Sequence, residues 1–286
     1  MVSYNMNNKI IFILLLLTYN VSGFSQSTAL DILQSMVQKA DQVKTIEYEA
    51  IMNERIGKKM VVKKSFFKIN NSPLDIYVKQ SFIGIKLDAL YCQGINNNQL
   101  LIATVGFPWI RANLDPKGKR VRANHHHTIF EAGFTFFVNI TNEIINKHKN
   151  DIELSIVSDN EIRDGRNCYK ILIDAKTFKY VPYTVEKGED LTSIAKRNNL
   201  NDYMILEKNP KIDDYSDVVP GQVINIPTIY GKQLVLFLDK NLLLPVEIDI
   251  YDDCGLYASY LYKNLKINKQ FAWNEFSTTY KDYHFK

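Results

Sequence analysis

Apolar and polar positions alternate along most of the chain, in the pattern of half-buried strands. The apolar runs are rich in Tyr, Phe, Val and Ile, and Asn-Asn, Gly-Lys-Lys or Asp-Pro-Lys-Gly turn signals separate them. The pattern predicts a meander of strands over residues 45–55, 60–69, 74–82, 90–95, 99–105, 121–125, 153–157, 168–175, 233–239, 246–251 and 258–267, with a last strand near the C-terminus.

Two stretches follow the helical period instead. The first, residues 27–43, carries the apolar residues Leu30, Ile32, Leu33, Met36 and Val37. The second, residues 128–149, carries the aromatic face Phe130, Phe134 and Phe137. That face either lines an apolar ligand cavity or fills the sheet as ordinary core, and core is the preferred interpretation.

Residues 183–229 combine both periods. Tyr183 and Val185 alternate as in a strand, and Gly188 then permits a tight reversal. A helix is predicted after Asp190, a good N-cap, and a second one from Asn201 or Asp202 to a point before Pro210, whose ring cannot continue it. A closing strand is predicted over residues 223–227. The order is therefore strand, helix, helix, strand.

These residues, with Lys187-Gly188-Glu189-Asp190-Leu191, Asn209-Pro210 and Pro220-Gly221-Gln222-Val223, resemble a LysM domain, which is a glycan-binding module. The resemblance implies a sugar groove between the strand-to-helix turn and the loop after the second helix. Its two walls would be Gly188, Glu189, Asp190 and Leu191 on one side, and Asn209, Pro210, Lys211 and Ile212 on the other. The implied ligand is peptidoglycan or another glycan containing N-acetylglucosamine, and such a groove needs neither catalysis nor a cofactor.

The LysM-like stretch lies between two runs, residues 171–174 and 234–238, that look like adjacent antiparallel strands of one hairpin. An insertion costs little where it replaces a hairpin turn. We therefore expect a discontinuous domain over residues 26–182 and 230–286, interrupted by a LysM domain over residues 183–229.

The larger part resembles the periplasmic lipoprotein-carrier class, through the runs at residues 238–246, 251–256 and 262–268. Trp109-Ile110, the run at residues 114–119 and the run at residues 124–129 look like a bacterial family of exported proteins of unknown function, some of which carry the same LysM insertion. The resemblance implies an α+β fold, in which a long, curved antiparallel half-barrel wraps on helices and leaves an apolar mouth. A lipid, a lipoprotein or another envelope protein is then the expected partner.

The first 25 residues predict export. Lys9 is their only charged residue, residues 10–17 are apolar, and Gly23-Phe24-Ser25 suits signal peptidase. Cleavage is expected near Ser25, with the mature chain in the periplasm or cell envelope. No later run approaches the length of a transmembrane helix. Without the leader, 34 basic residues face 31 acidic ones, and their scatter argues against nucleic-acid binding.

Candidates for other chemistry are few. His125, His126 and His127 invite a metal-site hypothesis, but neighbouring residues of a strand point to opposite faces, so a polar turn is the preferred interpretation and no metal is expected. Two of the three cysteines can pair in an exported protein, Cys168 with Cys254 being the first choice, although the sequence leaves the connectivity open.

Three functions remain open. The first is a non-enzymatic envelope protein that binds peptidoglycan through its LysM domain and a lipid, lipoprotein or envelope partner through the larger domain. The second is an envelope enzyme targeted by the LysM domain, with His126 or His127 as the first catalytic candidates. The third is an interaction scaffold whose cavity is filled by side chains.

Overall fold

The structure is a computed structural model that describes residues 26–82 and 84–285. The predicted signal peptide, residues 1–25, and the cleavage point near Ser25 lie outside the described residues. Among the described residues, no helix has both the length and the apolar character that crossing a bilayer requires.

Strands dominate the described residues, and eleven of them form one antiparallel sheet. The strands are β1 (Thr45–Ile56), β2 (Lys59–Asn71), β3 (Leu74–Phe82), β4 (Ile85–Cys92), β5 (Leu100–Thr104), β6 (Arg111–Leu114), β7 (Ile152–Arg163), β8 (Arg166–Ala175), β9 (Tyr180–Thr184), β10 (Val223–Pro227), β11 (Gln233–Asp239), β12 (Pro245–Asp252) and β13 (Gly255–Ile267). The large sheet has the order β6-β5-β4-β3-β2-β1-β13-β12-β11-β8-β7. Because β6 and β7 are its two edges, this sheet is open, and the predicted α+β half-barrel is confirmed.

The sheet buries one face against helices and loops, which we call the inner face. On β1, the alternate residues Tyr48, Ala50 and Glu54 are buried on this face. Tyr48 stacks on Phe67 of β2, with ring centroids 4.9 Å apart, and meets the ring of Tyr262 of β13 edge-on at 5.3 Å. Aromatic contacts across neighbouring strands thus hold the centre of the sheet together.

Three helices accompany the large sheet: α1 (Gln26–Ala40), α2 (Lys119–Arg122) and α3 (Thr135–Lys147). Helix α1 buries Leu33 and Met36, and α3 buries Phe137 and Ile144, all in the core cluster that includes β1 and β13. The apolar stripe predicted for the first helix is therefore confirmed. The helix itself ends at Ala40, three residues before the predicted end.

The prediction of one helix over 128–149 is wrong at its N-terminal end. Thr128 caps a 3₁₀ turn over Ile129–Glu131, and α3 begins only at Thr135. Gly133 separates the two, with a φ of 87° that no α-helix accommodates. A Cβ on Gly133 would contact the side chain of Ile69 at an ordinary distance of 3.4 Å, so the positive φ is the reason why glycine suits this position.

Two predicted strands are wrong as well. Residues 121–125 fall in α2 and the turn after it, because the buried side chain of Arg122 is held by contacts from outside the meander. The described residues after Ile267 contain no strand. They pack aromatic rings on the outer face instead, with Tyr283 stacked on Tyr77 at 3.6 Å between centroids.

A βααβ segment follows β8, and its elements lie as predicted. It consists of β9, α4 (Leu191–Asn198), α5 (Asp202–Lys208) and β10, and β9 pairs antiparallel with β10. Asp190 caps α4 by accepting a hydrogen bond from the backbone N–H of Ser193 at 2.6 Å, and Asn201 caps α5 through the N–H of Met204. The segment has a small apolar core of its own.

The βααβ segment enters and leaves the large sheet at adjacent strands. Asp174 of β8 pairs with Gln233 of β11, and Thr228 donates its N–H to the carbonyl of Lys179 at 2.9 Å. The hairpin expected between residues 171–174 and 234–238 is therefore present.

All three cysteines are free thiols. Cys168 is buried in β8 and Cys254 is exposed in the turn between β12 and β13. The suggested pairing of these two cysteines is therefore not formed, because they belong to different parts of the sheet.

Candidate functional site

A cavity of about 330 Å³ lies between the inner face and the loop that joins β6 to α3. Its walls are mainly apolar, with Ala50, Ala89 and Ile102 on the strands and Phe137 on α3. Alanines at two strand positions leave volume that larger side chains would fill. The cavity is therefore a consequence of small residues on the inner face.

The aromatic face of the second predicted helix divides between core and cavity. Phe134 is fully buried, and Phe130 meets the ring of Tyr91 edge-on at 5.0 Å. Phe137 alone among the three lines the cavity. Most of this face is ordinary core, as preferred.

A polar cluster made of Glu54, Lys63, His125 and Tyr260 adjoins the cavity, which is lined by Glu54, His125 and Tyr260. Lys63 Nζ contacts Glu54 Oε2 and the carbonyl of Asn124, and lies 2.9 Å from Nδ1 of His125. Tyr260 donates its hydroxyl hydrogen to Glu54 Oε1 at 2.8 Å. The carboxylate and the ammonium group thus compensate each other at a site where either charge alone would be costly.

Electrostatics keep this cluster in one charge state at neutral pH. Burial raises the pKa of the Glu54 carboxyl, but positive charge on His126 and Lys63 lowers it by more, to about 2. Burial lowers the pKa of His125 to about 4, of His126 to about 4 and of His127 to about 3. The imidazoles are therefore neutral at pH 7 and become positively charged only in the acid range where Glu54 itself titrates. At pH 7 the ammonium group of Lys63 faces Glu54, and its own pKa is lowered by burial.

The three histidines make separate contacts and do not converge. His126 donates from Nε2 to the carbonyl of Arg55 at 2.7 Å, whereas His127 Nε2 lies 3.2 Å from the hydroxyl of Tyr230. His125 and His127 line the cavity, while His126 is fully buried and lines none of it. The catalytic hypothesis for His126 therefore lacks access to a substrate in the cavity.

A metal site at the histidines finds no support in the geometry. Within residues 26–82 and 84–285, three metal-ligating side chains lie within reach of one ion only at Asp252, Asp253 and Cys254. Arg55 already forms an ion pair with Asp252, and Lys208 forms one with Asp253 at 3.1 Å. These carboxylates are explained by their cationic partners.

The first predicted wall of the glycan groove is a turn before α4. Gly188 is exposed, and Glu189 is held by the hydroxyl of Tyr183 at 2.8 Å and by Arg197 at 2.7 Å. Asp190 caps α4, and Leu191 is fully buried. Only the turn itself is therefore open to a ligand, while the side chains of Glu189 and Leu191 support it.

The second predicted wall follows α5. Asn209 donates its side-chain amide to the carbonyls of Ile205 and Asn225, and accepts from the N–H of Asn225. Pro210 and Lys211 are exposed, whereas Ile212 is buried. The N–H of Leu191 in the first wall donates to the carbonyl of Tyr215, three residues after the second wall, at 2.8 Å.

Sequence reasoning missed the residue that joins the βααβ segment to the cavity. Arg122 pairs with Asp202 at 2.6 Å, contacts the hydroxyl of Thr192 at 3.3 Å and stacks 3.4 Å above the ring of Tyr215. Its neighbour Val121 lines the cavity. Nothing in the local pattern distinguishes Arg122 from the basic residues around it, so only the tertiary contact reveals it.

Glu54 and Lys63 were also missed, although a signal was present. Two-residue periodicity along β1 places Glu54 on the same face as the buried Tyr48 and Ala50. A carboxylate that continues a buried stripe requires a partner. That partner, Lys63, comes from the facing strand of the β1–β2 hairpin.

Two family models match parts of the chain. Residues 183–227 match the family model of the LysM domain. The chain carries a LysM domain. Residues 44–181, which precede it, match a second family model, described as a protein of unknown function, DUF1571. No curated protein matches the sequence.

Solved structures of low sequence identity align with most of the chain. The Mycobacterium tuberculosis lipoprotein LppX is 11% identical over 87% of this chain and 99% of its own, with a TM-score of 0.41. LprF from Mycobacterium bovis is 9% identical over 86% and 95%, with a TM-score of 0.40. A LolA superfamily protein from Nitrosomonas europaea is 10% identical over 84% and 94%, with a TM-score of 0.23.

Proposed function

We propose that the protein is an exported, non-enzymatic component of the cell envelope that carries an apolar ligand in its cavity and binds a glycan through its LysM domain. The glycan is peptidoglycan or another polymer containing N-acetylglucosamine. In this proposal, residues 1–25 are a cleaved signal peptide, and residues 26–182 and 230–286 form one domain that the LysM domain interrupts.

The cavity is the observation that carries the proposal. Ligand sites are concave and mainly apolar, with a few placed polar groups, and occupy roughly 300–1,000 Å³. A volume of about 330 Å³ lies at the lower end of that range. A methylene group is about as large as a water molecule, which occupies about 30 Å³ in the liquid, so the cavity holds on the order of ten methylenes.

That volume favours a single acyl chain over a ligand with several chains. Its polar end suits a headgroup that can accept or donate hydrogen bonds, since His125 and Glu131 line it together with apolar residues. The LysM family match supports the glycan half of the proposal. A scaffold whose cavity is filled by side chains is less consistent with this open volume.

Binding of a fluorescent fatty acid, cis-parinaric acid, tests the carrier half. The variant Ala89→Phe places an aromatic ring in the cavity wall, and Val62→Phe adds the same ring at an exposed position of β2 as a control. Affinity should fall at least about tenfold in Ala89→Phe, since each excluded methylene costs about 0.8 kcal/mol. Equal affinity in both variants, with thermal unfolding showing both folded, would count against the cavity.

Co-sedimentation with purified peptidoglycan tests the glycan half. The variant Pro210→Asp/Lys211→Asp alters the exposed part of one predicted wall, and Val223→Asp is a control on an exposed position of β10. Wild type and the control should pellet, and the double variant should stay in solution. If wild type itself stays in solution, the LysM domain recognises another glycan or none.

A further inference from the structure

An apolar loop projects from the edge of the sheet. Between β5 and β6, Phe107 is 84% exposed, Trp109 is 80% exposed and Ile110 is 55% exposed. The rings of Phe107 and Trp109 contact each other edge-on, with centroids 5.6 Å apart. Large apolar side chains rarely remain together in water without a partner, so this loop requires one.

The loop is held in place by hydrogen bonds at its base. Thr104 donates its N–H to the carbonyl of Ile110 at 2.9 Å, and its hydroxyl accepts from the N–H of Ile110 at 2.8 Å. Ile110 N–H also lies 2.8 Å from the carbonyl of Pro108. The aromatic side chains are thus presented by an ordered turn.

A second apolar residue lies at the same end of the sheet. Ile85, at the start of β4, is 55% exposed. The N–H of Val105 donates to the carbonyl of Lys86 at 2.8 Å, which joins the β3–β4 turn to the β5–β6 loop. We call Ile85, Phe107, Trp109 and Ile110 the apolar tip.

Basic residues surround the apolar tip in the sequence and at the cavity. Between residues 84 and 120, the chain carries two acidic residues, the exposed Asp115 and the buried Asp88, and five basic ones: Lys86, Arg111, Lys117, Lys119 and Arg120. The whole chain has a net charge of only +4, so this segment holds a local excess of positive charge.

The cavity opens next to the tip. Arg120, Ala123 and Asn124 are exposed and line the cavity, together with Leu87 of β4. Leu87 pairs with Thr104, the residue that anchors the apolar loop. A surface in contact with the tip would therefore lie beside the cavity opening.

We propose that the apolar tip docks on the surface of an anionic lipid bilayer, which places the cavity opening at the lipid headgroups. Tryptophan and phenylalanine insert at the boundary between headgroups and acyl chains, and lysine and arginine are attracted to anionic headgroups. Lys86 and Arg111 lie at the same end of the sheet as the aromatic loop, since Leu87 pairs with Thr104 and Ala103 pairs with Arg111, and their charges complement an anionic surface. The inference concerns where the protein docks and stands apart from the identity of the cavity ligand.

Vesicle flotation of the full mature protein tests this proposal, with vesicles of equal parts phosphatidylglycerol and phosphatidylethanolamine. The variant Phe107→Ser/Trp109→Ser removes the aromatic tip, and Trp273→Ser is a matched control because Trp273 is 96% exposed elsewhere on the chain. Partitioning should fall about tenfold or more in the tip variant, since burying one aromatic ring is worth at least a tenfold change. The control should bind as wild type does.

Tryptophan fluorescence provides a second measurement. The chain has two tryptophans, so Trp273→Phe leaves Trp109 as the sole tryptophan emitter. Its emission should shift to shorter wavelength with the anionic vesicles, and brominated lipids should quench it. Vesicles of phosphatidylcholine alone should give a weaker effect.

Two outcomes would overturn the proposal. Equal flotation of wild type and the tip variant would show that the tip does not contact lipid. No flotation of wild type, combined with self-association in sedimentation velocity that the tip variant loses, would assign the tip to a second copy of the chain.

Discussion

Acid should destabilise the folded protein as the pH falls below about 6.5, and His126 allows a quantitative test. The imidazole lies between the rings of Tyr203 and Tyr257, with centroids 4.8 and 4.1 Å away. Its Nε2–H donates a hydrogen bond to the carbonyl of Arg55, and its Nδ1 has no hydrogen-bond partner among the described residues. Protonation would place a charge in this fully buried stack.

The magnitude follows from the two pKa values. Burial lowers the pKa of His126 to about 4 in the folded protein, against about 6.5 in the unfolded chain. The unfolded state therefore binds the proton first as pH falls. The stabilisation is complete above about pH 6.5, declines as pH falls towards 4, and amounts to a loss of about 2 kcal/mol at pH 5.

Glu54 does not interfere in this interval. Its pKa is lowered to about 2, so its own contribution is present above the unfolded value of about 4.3 and is lost only as pH falls from there towards 2. The loss of unfolding free energy between pH 8 and pH 5 therefore reflects the protonation of imidazoles and contains no contribution from Glu54.

Urea unfolding at pH 8 and at pH 5 checks the prediction in wild type, His126→Gln and Tyr203→Phe. Glutamine keeps an N–H donor for the carbonyl of Arg55 but does not titrate. Between the two pH values, His126→Gln should therefore lose about 2 kcal/mol less unfolding free energy than wild type. Tyr203→Phe disturbs the same stack and keeps the imidazole, so its loss should match wild type. If His126→Gln loses as much as wild type, burial does not hold this imidazole neutral.

Three further predictions concern stability. In urea unfolding, Lys63→Met should lower the unfolding free energy by about 3–5 kcal/mol, because it leaves the buried Glu54 carboxylate unpaired. The double variant Glu54→Gln/Lys63→Met should recover most of that loss. Asn209→Ala should cost about 1–2 kcal/mol in the same assay, because it removes three hydrogen bonds to the backbone of Ile205 and Asn225. Arg122→Gln should speed proteolysis of the strands that enter and leave the LysM domain, whereas Arg120→Gln, at an exposed neighbouring position, should not. Equal cleavage rates in the two variants would contradict the role of Arg122 in joining the LysM domain to the rest of the chain.

Local chemistry in the sequence was sufficient for the LysM domain. Asp190 and Asn201 accept hydrogen bonds from backbone N–H groups only a few residues away, and Pro210 ends the second helix by its own ring geometry. Alternation along the strands likewise identified the hairpin of β8 and β11, because its two runs are buried and apolar. The caps and the end of the second helix depend on residues close by in the chain.

The errors arose where a distant part of the chain decides the conformation. Residues 121–125 have strand-like composition, yet Arg122 is drawn into contact with the LysM domain 80 residues later. The predicted second helix begins late, at Thr135, because Gly133 before it has a φ of 87°, which is incompatible with an α-helix. Neither feature can be predicted from the local periodicity of apolar residues.

The sequence by itself determined most of the strands through their apolar pattern, and it determined the helix caps of the LysM domain, since each cap rests on interactions within a few residues. The cavity and its charges were decided only by the tertiary structure. A cavity is a volume left among Ala50, Ala89 and Gly133, which lie on three separate elements, and it exists only once those elements meet. Glu54 and Lys63 acquire their partnership in the same way, because burial between packed elements makes each charge depend on the other.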